Sequence, residues 1–301
     1  MNKKFFLYPF LALTILLLSA CGDDDDGDDS TPARDRGEEA IAAQLEIETY
    51  LGSHFYNYEE FANPPADFDN KVRIDTIAGE NADKIPLLEQ VEFKIVQDRF
   101  EEDVEYKLYF LKVTQGGGDS PNFPDIVNVT YDGFNLEGEV FDSSLIPAQF
   151  DLTLTIDGFQ DVLVEFNGAS VIIDNPDGSI SYENFGIGAM FVPSGLGYFD
   201  NAAISSSLEA YSQLVFTFQL IDARVGDQDN DGIPSIMEDL NLNNRVDDDD
   251  TDEDLRPNYF DSDDDNDGRP TRDEIEIDSQ GNITFPDVDG DGIPDYLDAD
   301  S

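Results

Sequence analysis

Aspartates on alternate residues form three short windows near the end of the sequence. Each window reads Asp-x-Asp-x-Asp-Gly and places a further carboxylate at its twelfth position. Calcium prefers about six to eight oxygen ligands, and alternating carboxylates around a glycine turn supply several of them from one loop. The spacing therefore predicts three calcium-binding loops. Their candidate ligands are Asp227, Asp229, Asp231 and Glu238 in the first loop, Asp263, Asp265, Asp267 and Glu274 in the second loop, and Asp287, Asp289, Asp291 and Asp298 in the third loop.

The residues around these windows indicate the kind of repeat. Ile-Pro or Arg-Pro follows each glycine, and no long flanking helix is evident. The windows therefore resemble thrombospondin type 3 repeats, or similar bacterial aspartate repeats, rather than paired EF-hands. The alternative is a disordered acidic spacer, because residues 227–301 hold 27 acidic residues against four arginines. The regular spacing favours a structural role for Ca²⁺.

A second group of motifs follows in a fixed order between residues 105 and 222. The motifs are Val-Asn-Val-Thr-Tyr-Asp-Gly from 127, Leu-Glu-Gly-Glu-Val-Phe-Asp-Ser-Ser from 136, Ile-Asp-Gly-Phe from 156, Phe-Val-Pro-Ser-Gly-Leu-Gly-Tyr from 191 and Leu-Val-Phe from 214. Together they resemble the FKBP-type peptidyl-prolyl isomerases. The resemblance implies an antiparallel sheet wrapped on a short helix, with a shallow apolar pocket for a proline ring.

The family's pocket positions carry over to eight residues of this chain. They are Tyr131, Phe141, Asp142, Ile156, Phe159, Tyr198, Phe216 and, as a wall residue, Leu208. The resemblance implies that Tyr198 donates a hydrogen bond to the substrate carbonyl and that Asp142 orients the polar edge of the pocket. Amide resonance opposes X-Pro rotation with a barrier of about 18–20 kcal/mol. A dry pocket favours the twisted, less polar amide, so this catalysis requires no cofactor.

Two departures from the family pattern leave alternatives open. The family's pocket floor is usually tryptophan, and this chain has none, so Phe159 takes that place without an indole N–H. The stretch 168–186 is also longer than in a minimal domain and could shade the pocket. One alternative is that the aromatic residues are only core. Another is a non-catalytic module that holds proline-containing segments.

The first twenty residues have the order of a signal peptide. Lys3 and Lys4 precede an apolar run over 5–18, and Ser19-Ala20 precede the only cysteine, Cys21. The run is shorter than the roughly 20 residues that span a bilayer, which disfavours the alternative of a permanent transmembrane helix. Residues 18–21 resemble the lipobox of bacterial lipoproteins, which implies a lipid on Cys21. A single cysteine excludes an intramolecular disulfide.

An acidic run follows this cysteine, over residues 22–29. It is too charged and too poor in apolar residues to fold, so one interpretation is a solvated tether. The other is that it resembles the surface-export signal of Bacteroidetes lipoproteins. Both predict an outer-membrane lipoprotein, facing either the periplasm or the cell surface, held to the membrane by its lipid anchor.

The net charge narrows the choice of partners. A formal charge of −52 repels phosphate backbones, which excludes nucleic acid as a natural partner and favours metal cations. The FKBP-like motifs, together with the signal-peptide order, lead us to expect an isomerase that assists the folding of exported proteins and acts on proline-containing polypeptides. The alternative functions are the non-catalytic binding module and an adhesin-like surface protein with a calcium-stiffened tail.

Composition and periodicity divide the chain into segments of an α+β protein. The predicted segments are the signal peptide at 1–20, an acidic tether at 21–36, a helical or mixed segment at 37–103, the FKBP-like domain at 104–224 and the aspartate-rich repeats at 225–301. A helix is predicted over 37–61, with a break at Gly52 as one option. Another short helix is predicted over 159–166. His54, without a second histidine, is interpreted as a packing or surface residue. The predicted strands are 72–77, 90–96, 106–113, 126–134, 149–156, 189–193 and 213–222.

Overall fold

A computed structural model of the chain describes residues 33–201 and 208–301. The predicted signal peptide, the lipid site Cys21 and the acidic run at 22–29 lie outside the described residues. Within them, no helix has both the length and the apolar character that crossing a membrane requires. Residues 34–301 belong to one compact unit, so the isomerase-like region and the aspartate-rich region can be described together.

The described part begins with an amphipathic helix that is shorter than predicted. Its elements are α1 (Arg36–Ser53), β1 (His54–Tyr56), α2 (Tyr58–Ala62) and β2 (Ile74–Thr76). The Asp35 carboxylate caps α1 by accepting a hydrogen bond from the Glu38 N–H at 2.9 Å. The prediction of one continuous helix to residue 61 is wrong beyond Ser53, because β1 pairs antiparallel with β2, whereas the optional break at Gly52 agrees with the observed end of the helix. His54 stacks on Tyr50 with ring centroids 3.8 Å apart, which is a packing role.

A six-stranded antiparallel sheet forms the centre of the fold. The elements are β3 (Glu92–Gln97), β4 (Glu105–Thr114), β5 (Ile126–Asn135), β6 (Val140–Asp151), α3 (Asp157–Leu163), β7 (Val171–Asp174), β8 (Ile180–Glu183), β9 (Gly186–Val192) and β10 (Leu214–Arg224). The order in the sheet is β3-β4-β9-β10-β5-β6, and every neighbouring pair is antiparallel. The α+β class and the antiparallel sheet are therefore confirmed, and the short helix predicted over 159–166 is present but spans Asp157–Leu163.

Helices cover both faces of this sheet. On one face, α3 contributes Phe159, Val162 and Leu163 to a core with β4, β5, β9 and β10. On the other face, α1 contributes Ile47 and Leu51. Strand β9 lies between the two cores, and all seven of its residues are buried. Its glycines permit this packing, because a Cβ at Gly188 would lie 2.6 Å from both the Leu111 carbonyl oxygen and Phe166 Cζ.

Three details of the sheet differ from the sequence prediction. Strand β3 pairs with β4, so the sheet starts at Glu92, before the domain boundary predicted at 104. Strand β6 starts at Val140 rather than at 149; it is an edge strand with Pro147 inside it, and most of its residues are at least partly exposed. The long stretch after α3 forms the β7–β8 hairpin, which turns at Gly178 with φ +85°.

The aspartate-rich region contains little regular structure. Its only strands among the described residues are the short β11 (Glu276–Ile277) and β12 (Ile283–Thr284). Ile233, Ile275 and Tyr296 form a small apolar cluster. Polar contacts attach the region to the sheet domain: the Gly226 N–H donates to Asp125 at 3.0 Å, and the Gln228 amide donates to Asp151 at 3.0 Å. Because such small apolar burial stabilises little, other interactions must order these residues.

Candidate functional site

The aromatic residues predicted for a proline pocket lie in one cluster. The Phe216 ring centroid is 5.5 Å from those of Phe141 and Phe159, and 6.3 Å from that of Tyr131. Tyr198 lies at the edge, with its ring centroid 6.4 Å from Phe141. Interplanar angles of 76–87° within the Phe159, Phe216, Phe141 and Tyr198 series are the edge-to-face arrangement that aromatic rings favour. The chain thus brings five predicted residues together.

Strand pairing explains why residues so distant in sequence meet here. Gly133 of β5 lies opposite Phe216 of β10 and opposite Asp142 of β6. A Cβ at Gly133 would lie 2.9 Å from Phe216 Cε1 and 3.0 Å from Phe141 Cζ. Glycine at this position therefore lets the two rings approach across the strand.

Burial separates a floor from a rim. Phe159, Phe216 and Tyr131 are buried, whereas Phe141 and Tyr198 are only half-buried. Among the remaining predicted residues, Ile156 is half-buried against the same core and Leu208 is buried within it. The cluster therefore has a buried apolar part and a partly exposed edge formed by Phe141 and Tyr198. Such a surface can hold a small apolar ring.

Sequence reasoning missed one member of the cluster, Phe150 of β6. Its ring centroid is 5.5 Å from that of Tyr131 and 5.6 Å from that of Phe159. The prediction assigned residue 150 to a strand but to no pocket. The sequence carried no signal for this role, because Phe141 lies outside the strand predicted at 149–156 and the two residues share a strand only in the structure.

A single polar pair lies beside these rings. The Tyr131 hydroxyl donates a hydrogen bond of 2.6 Å to Asp142 Oδ2. Burial and the Asp142 carboxylate raise the pKa of Tyr131, so its hydroxyl stays protonated as a donor. Burial also raises the pKa of Tyr198. The Tyr198 hydroxyl has no hydrogen-bond partner among the described residues, which leaves it available to a bound molecule.

Helix α1 holds the loop that carries Tyr198. The Arg36 guanidinium donates to the Gly195 carbonyl oxygen at 2.9 Å and lies 4.2 Å from the centroid of the Phe199 ring. The Ser194 hydroxyl donates to Glu39 Oε1 at 3.1 Å. Because Ser194 and Glu39 are both buried, these bonds fix the loop on the helix. The N-terminal helix is therefore part of the support of the pocket rim.

The three aspartates of each predicted calcium loop converge. In every loop, one carboxylate oxygen from each of the three alternating aspartates lies within 4.8 Å of the others. The loop glycines Gly232, Gly268 and Gly292 have φ values of +106°, +94° and +103°, which other residues rarely adopt. The first two loops are partly buried, and the third is exposed.

The residues at the twelfth positions are placed differently in each loop. Glu238 gathers with Asp229 and with Asp264, a residue that the spacing did not select. Glu274 pairs with Arg269 at 3.0 Å. Asp298 accepts a hydrogen bond from the Asp300 N–H at 3.1 Å. Among the described residues, Glu238 is the twelfth residue that joins a group of three converging carboxylates. Glu274 is buried beside the alternating aspartates of its own loop.

Carboxylate oxygens without hydrogen-bond donors are concentrated in the first two loops. They include Oδ1 of Asp227 and Asp263 and Oδ2 of Asp229, Asp231 and Asp265. Burial and neighbouring carboxylates raise the pKa of Asp229 to about 7, and burial raises that of Asp231 to about 6. A buried carboxylate without a donor costs several kcal/mol unless a cation compensates it. This all-oxygen set fits Ca²⁺.

Sequence reasoning missed a fourth group of alternating aspartates. Asp250, Asp252 and Asp254 also converge within 4.8 Å, and buried oxygens of the first two lack hydrogen-bond donors. Leu255 follows them with φ +77°, in the place where the other windows have glycine. A search for aspartates on alternate residues, without the requirement for glycine, would have found the group.

Comparisons with known proteins give one partial family match and solved structures of low sequence identity. A family model described as BamM C-terminal matches residues 228–286. No curated protein matches the chain. A peptidyl-prolyl cis-trans isomerase from Pseudomonas syringae pv. tomato is 16% identical with a TM-score of 0.35, covering 64% of this chain and 98% of that chain. FkpA from Escherichia coli is 19% identical with a TM-score of 0.34, covering 62% of each chain. The three FKBP domains of wheat FKBP73 are 12% identical with a TM-score of 0.32, covering 44% of this chain and 51% of that chain.

Proposed function

We propose that the sheet domain is an FKBP-type peptidyl-prolyl cis-trans isomerase that acts on proline-containing segments of exported proteins. The observation that carries the proposal is the aromatic cluster: its floor is buried, its rim is half-exposed, and the Tyr198 hydroxyl beside it has no hydrogen-bond partner within residues 33–201 and 208–301. The FKBP-like motif order from residue 127 to residue 216 supports the same assignment. Cys21 would anchor the protein by lipid to the outer membrane.

The proposed mechanism needs only binding and one hydrogen bond. The proline ring lies over Phe159 and Phe216, where water is excluded. The planar amide is the more charge-separated form, so a dry surface destabilises it relative to the twisted transition state. Tyr198 donates to the substrate carbonyl, and the Tyr131–Asp142 hydrogen bond fixes the polar edge.

An X-Pro isomerisation assay on a short peptide tests this function. The full chain in detergent should accelerate exchange between the cis and trans forms above the uncatalysed rate, and an FKBP pocket ligand should abolish the acceleration. A folded chain that binds the pocket ligand but does not accelerate cis–trans exchange would favour the non-catalytic binding module. That module would have the same pocket floor, without an indole N–H.

We infer a second function, calcium binding by the aspartate-rich region. The observation that favours it is the set of donor-free buried carboxylates in the first two loops. Residues from both loops would supply carboxylate oxygens, and the bound ion would supply the positive charge that this region lacks. Affinities of about 10⁻⁴–10⁻³ M are typical of extracellular modules.

X-ray scattering of the full chain with calcium and with chelator tests the second function. Without calcium, mutual repulsion among 27 acidic residues should expand residues 227–301, and calcium should compact them. Limited proteolysis should show the same contrast, while the sheet domain stays resistant in both conditions because it has its own core. Equal size and equal cleavage in both conditions would identify an acidic spacer instead.

A further inference from the structure

The first and second loops meet at three carboxylates. Asp229 and Glu238 belong to the first loop, and Asp264 lies in the second loop between two of its predicted ligands. One carboxylate oxygen of each lies within 4.8 Å of the other two. Asp264 occupies none of the alternating or twelfth positions, so the loop pattern gives it no role.

These carboxylates are buried without donors. Glu238 is 1% exposed and Asp264 is 2% exposed, and neither oxygen of either residue accepts a hydrogen bond. Asp229 Oδ2 is also buried and donor-free. Three such groups held together are strongly unfavourable without positive charge.

No side-chain cation supplies that charge. Across residues 33–201 and 208–301, no lysine or arginine forms an ion pair with Asp229, Glu238 or Asp264. Arg272 makes a basic contact between the loops, and its guanidinium donates to the Asn230 backbone carbonyl at 2.6 Å rather than to one of these three carboxylates. The loops are thus packed together around carboxylates that still require a counter-charge.

We propose that Asp229, Glu238 and Asp264 bind a divalent cation, calcium by the chemistry of their oxygens, which the first and second loops share. This rests on the proposed calcium binding of the loops and adds a site that the loop pattern does not contain. The shared ion joins residues 229 and 264 and lies beside the apolar cluster of Ile233, Ile275 and Tyr296. It acts as a cross-link between loops rather than as a ligand of one loop.

The test compares Asp264→Asn with Asp273→Asn in the full chain. Asp264→Asn keeps the side-chain shape and removes one carboxylate from the shared site only. Asp273 is an exposed acid of the same loop outside the predicted ligand set, so Asp273→Asn is a matched control. Calcium binding is measured by equilibrium dialysis, and the unfolding midpoint of residues 227–301 is measured with calcium and with chelator.

We expect Asp264→Asn to weaken one calcium site by about tenfold or more, while Asp273→Asn binds as the unchanged protein does. In chelator, Asp264→Asn should be as stable as the unchanged protein or more stable, because it removes one repulsive charge; in calcium it should be less stable. This change of sign separates a ligand from a packing residue. Equal calcium binding and an equal calcium-induced stabilisation in both variants would overturn the shared site alone. If the unchanged protein binds no calcium, the proposed calcium function fails with it.

Discussion

At the scale of single residues, the hydroxyl of Tyr198 is the feature that would distinguish a catalytic pocket from an aromatic core. Its ring touches the cluster, yet its hydroxyl has no partner among the described residues, whereas the Tyr131 hydroxyl is committed to Asp142. A core tyrosine normally satisfies its hydroxyl. Under the proposed function, the two tyrosines would have separate roles: Tyr131 would organise the site and Tyr198 would bind the substrate.

Removal of the Tyr198 hydroxyl should slow catalysis without unfolding the domain. We expect Tyr198→Phe to lower kcat/KM in the X-Pro assay about two- to tenfold, since a hydrogen bond contributes about 0.5–1.5 kcal/mol. Tyr182→Phe, on the hairpin strand β8 and outside the aromatic cluster, is the matched control and should retain the full rate. Equal rates for both variants would show that Tyr198 makes no bond in the transition state.

The sequence predicted which residues form this site better than it predicted which of them pack against one another. The aromatic positions and the alternating aspartates were visible because motif order and spacing are properties of the chain. Asp264 and Phe150 were not visible, since their roles depend on which loops and strands pack together. The group at Asp250 was missed because a leucine adopts the positive φ there in place of glycine.

Helix α1 acts on the pocket through a buried ion pair. Arg36 Nε lies 2.6 Å from Asp98 Oδ2, and the Asp98 side chain is fully buried. Burial alone would raise the pKa of Asp98, but hydrogen bonds from the Phe100 N–H, the Arg36 guanidinium and the Tyr106 hydroxyl lower it below its usual value. The same Arg36 holds the loop before Tyr198, so this pair joins two elements to the rim.

Loss of this pair should destabilise the domain in a pH-dependent way. We expect Asp98→Asn to lower the free energy of unfolding by about 3–5 kcal/mol at neutral pH, because it leaves a buried guanidinium unpaired. A lowered carboxyl pKa stabilises the fold above the ordinary aspartate pKa, and this stabilisation is lost as the pH falls through the lowered value. Urea unfolding from pH 7 to pH 2 measures it, and the difference from the unchanged protein should shrink in acid.

Asp83→Asn is the control for that experiment, because Asp83 is exposed and takes part in no hydrogen bond or ion pair with the described residues. It should change stability by no more than about 0.5 kcal/mol at any pH. A constant difference between Asp98→Asn and the unchanged protein across the range would contradict the charged role of Asp98.

The elements themselves were largely predictable, with failures at edges and ends. Strands β4, β5 and β10 alternate apolar and polar residues or carry long apolar runs, and their positions were predicted closely. The first eight residues of β6, which end at Pro147, form an exposed edge pattern without strand periodicity. The end of α1 at Ser53 lies next to Gly52, where the sequence offered a break, but the pairing of β1 with β2 beyond it is not encoded by local sequence.

At the scale of the whole molecule, the proposed membrane attachment depends on one residue outside the described part. We expect Cys21→Ser to abolish labelling by a fatty-acid precursor and to release the protein from the membrane fraction, because Cys21 is the only thiol in the chain. Fractionation followed by immunoblotting measures the release. Retention of an unlabelled Cys21→Ser protein on membranes would indicate an anchor other than lipid.

The strand order has a consequence for the time at which this domain can fold. Strand β10 is the last of the sheet in sequence, yet it lies between β9 and β5. Until β10 is available, β3-β4-β9 and β5-β6 are two separate sheets. Its partners in β5 are about eighty residues earlier in the chain, and closing such a span costs chain entropy before any contact forms. If the chain is exported as proposed, it cannot complete its sheet until residue 224 has crossed the membrane, and its unpaired strand edges would remain open to other chains during that interval.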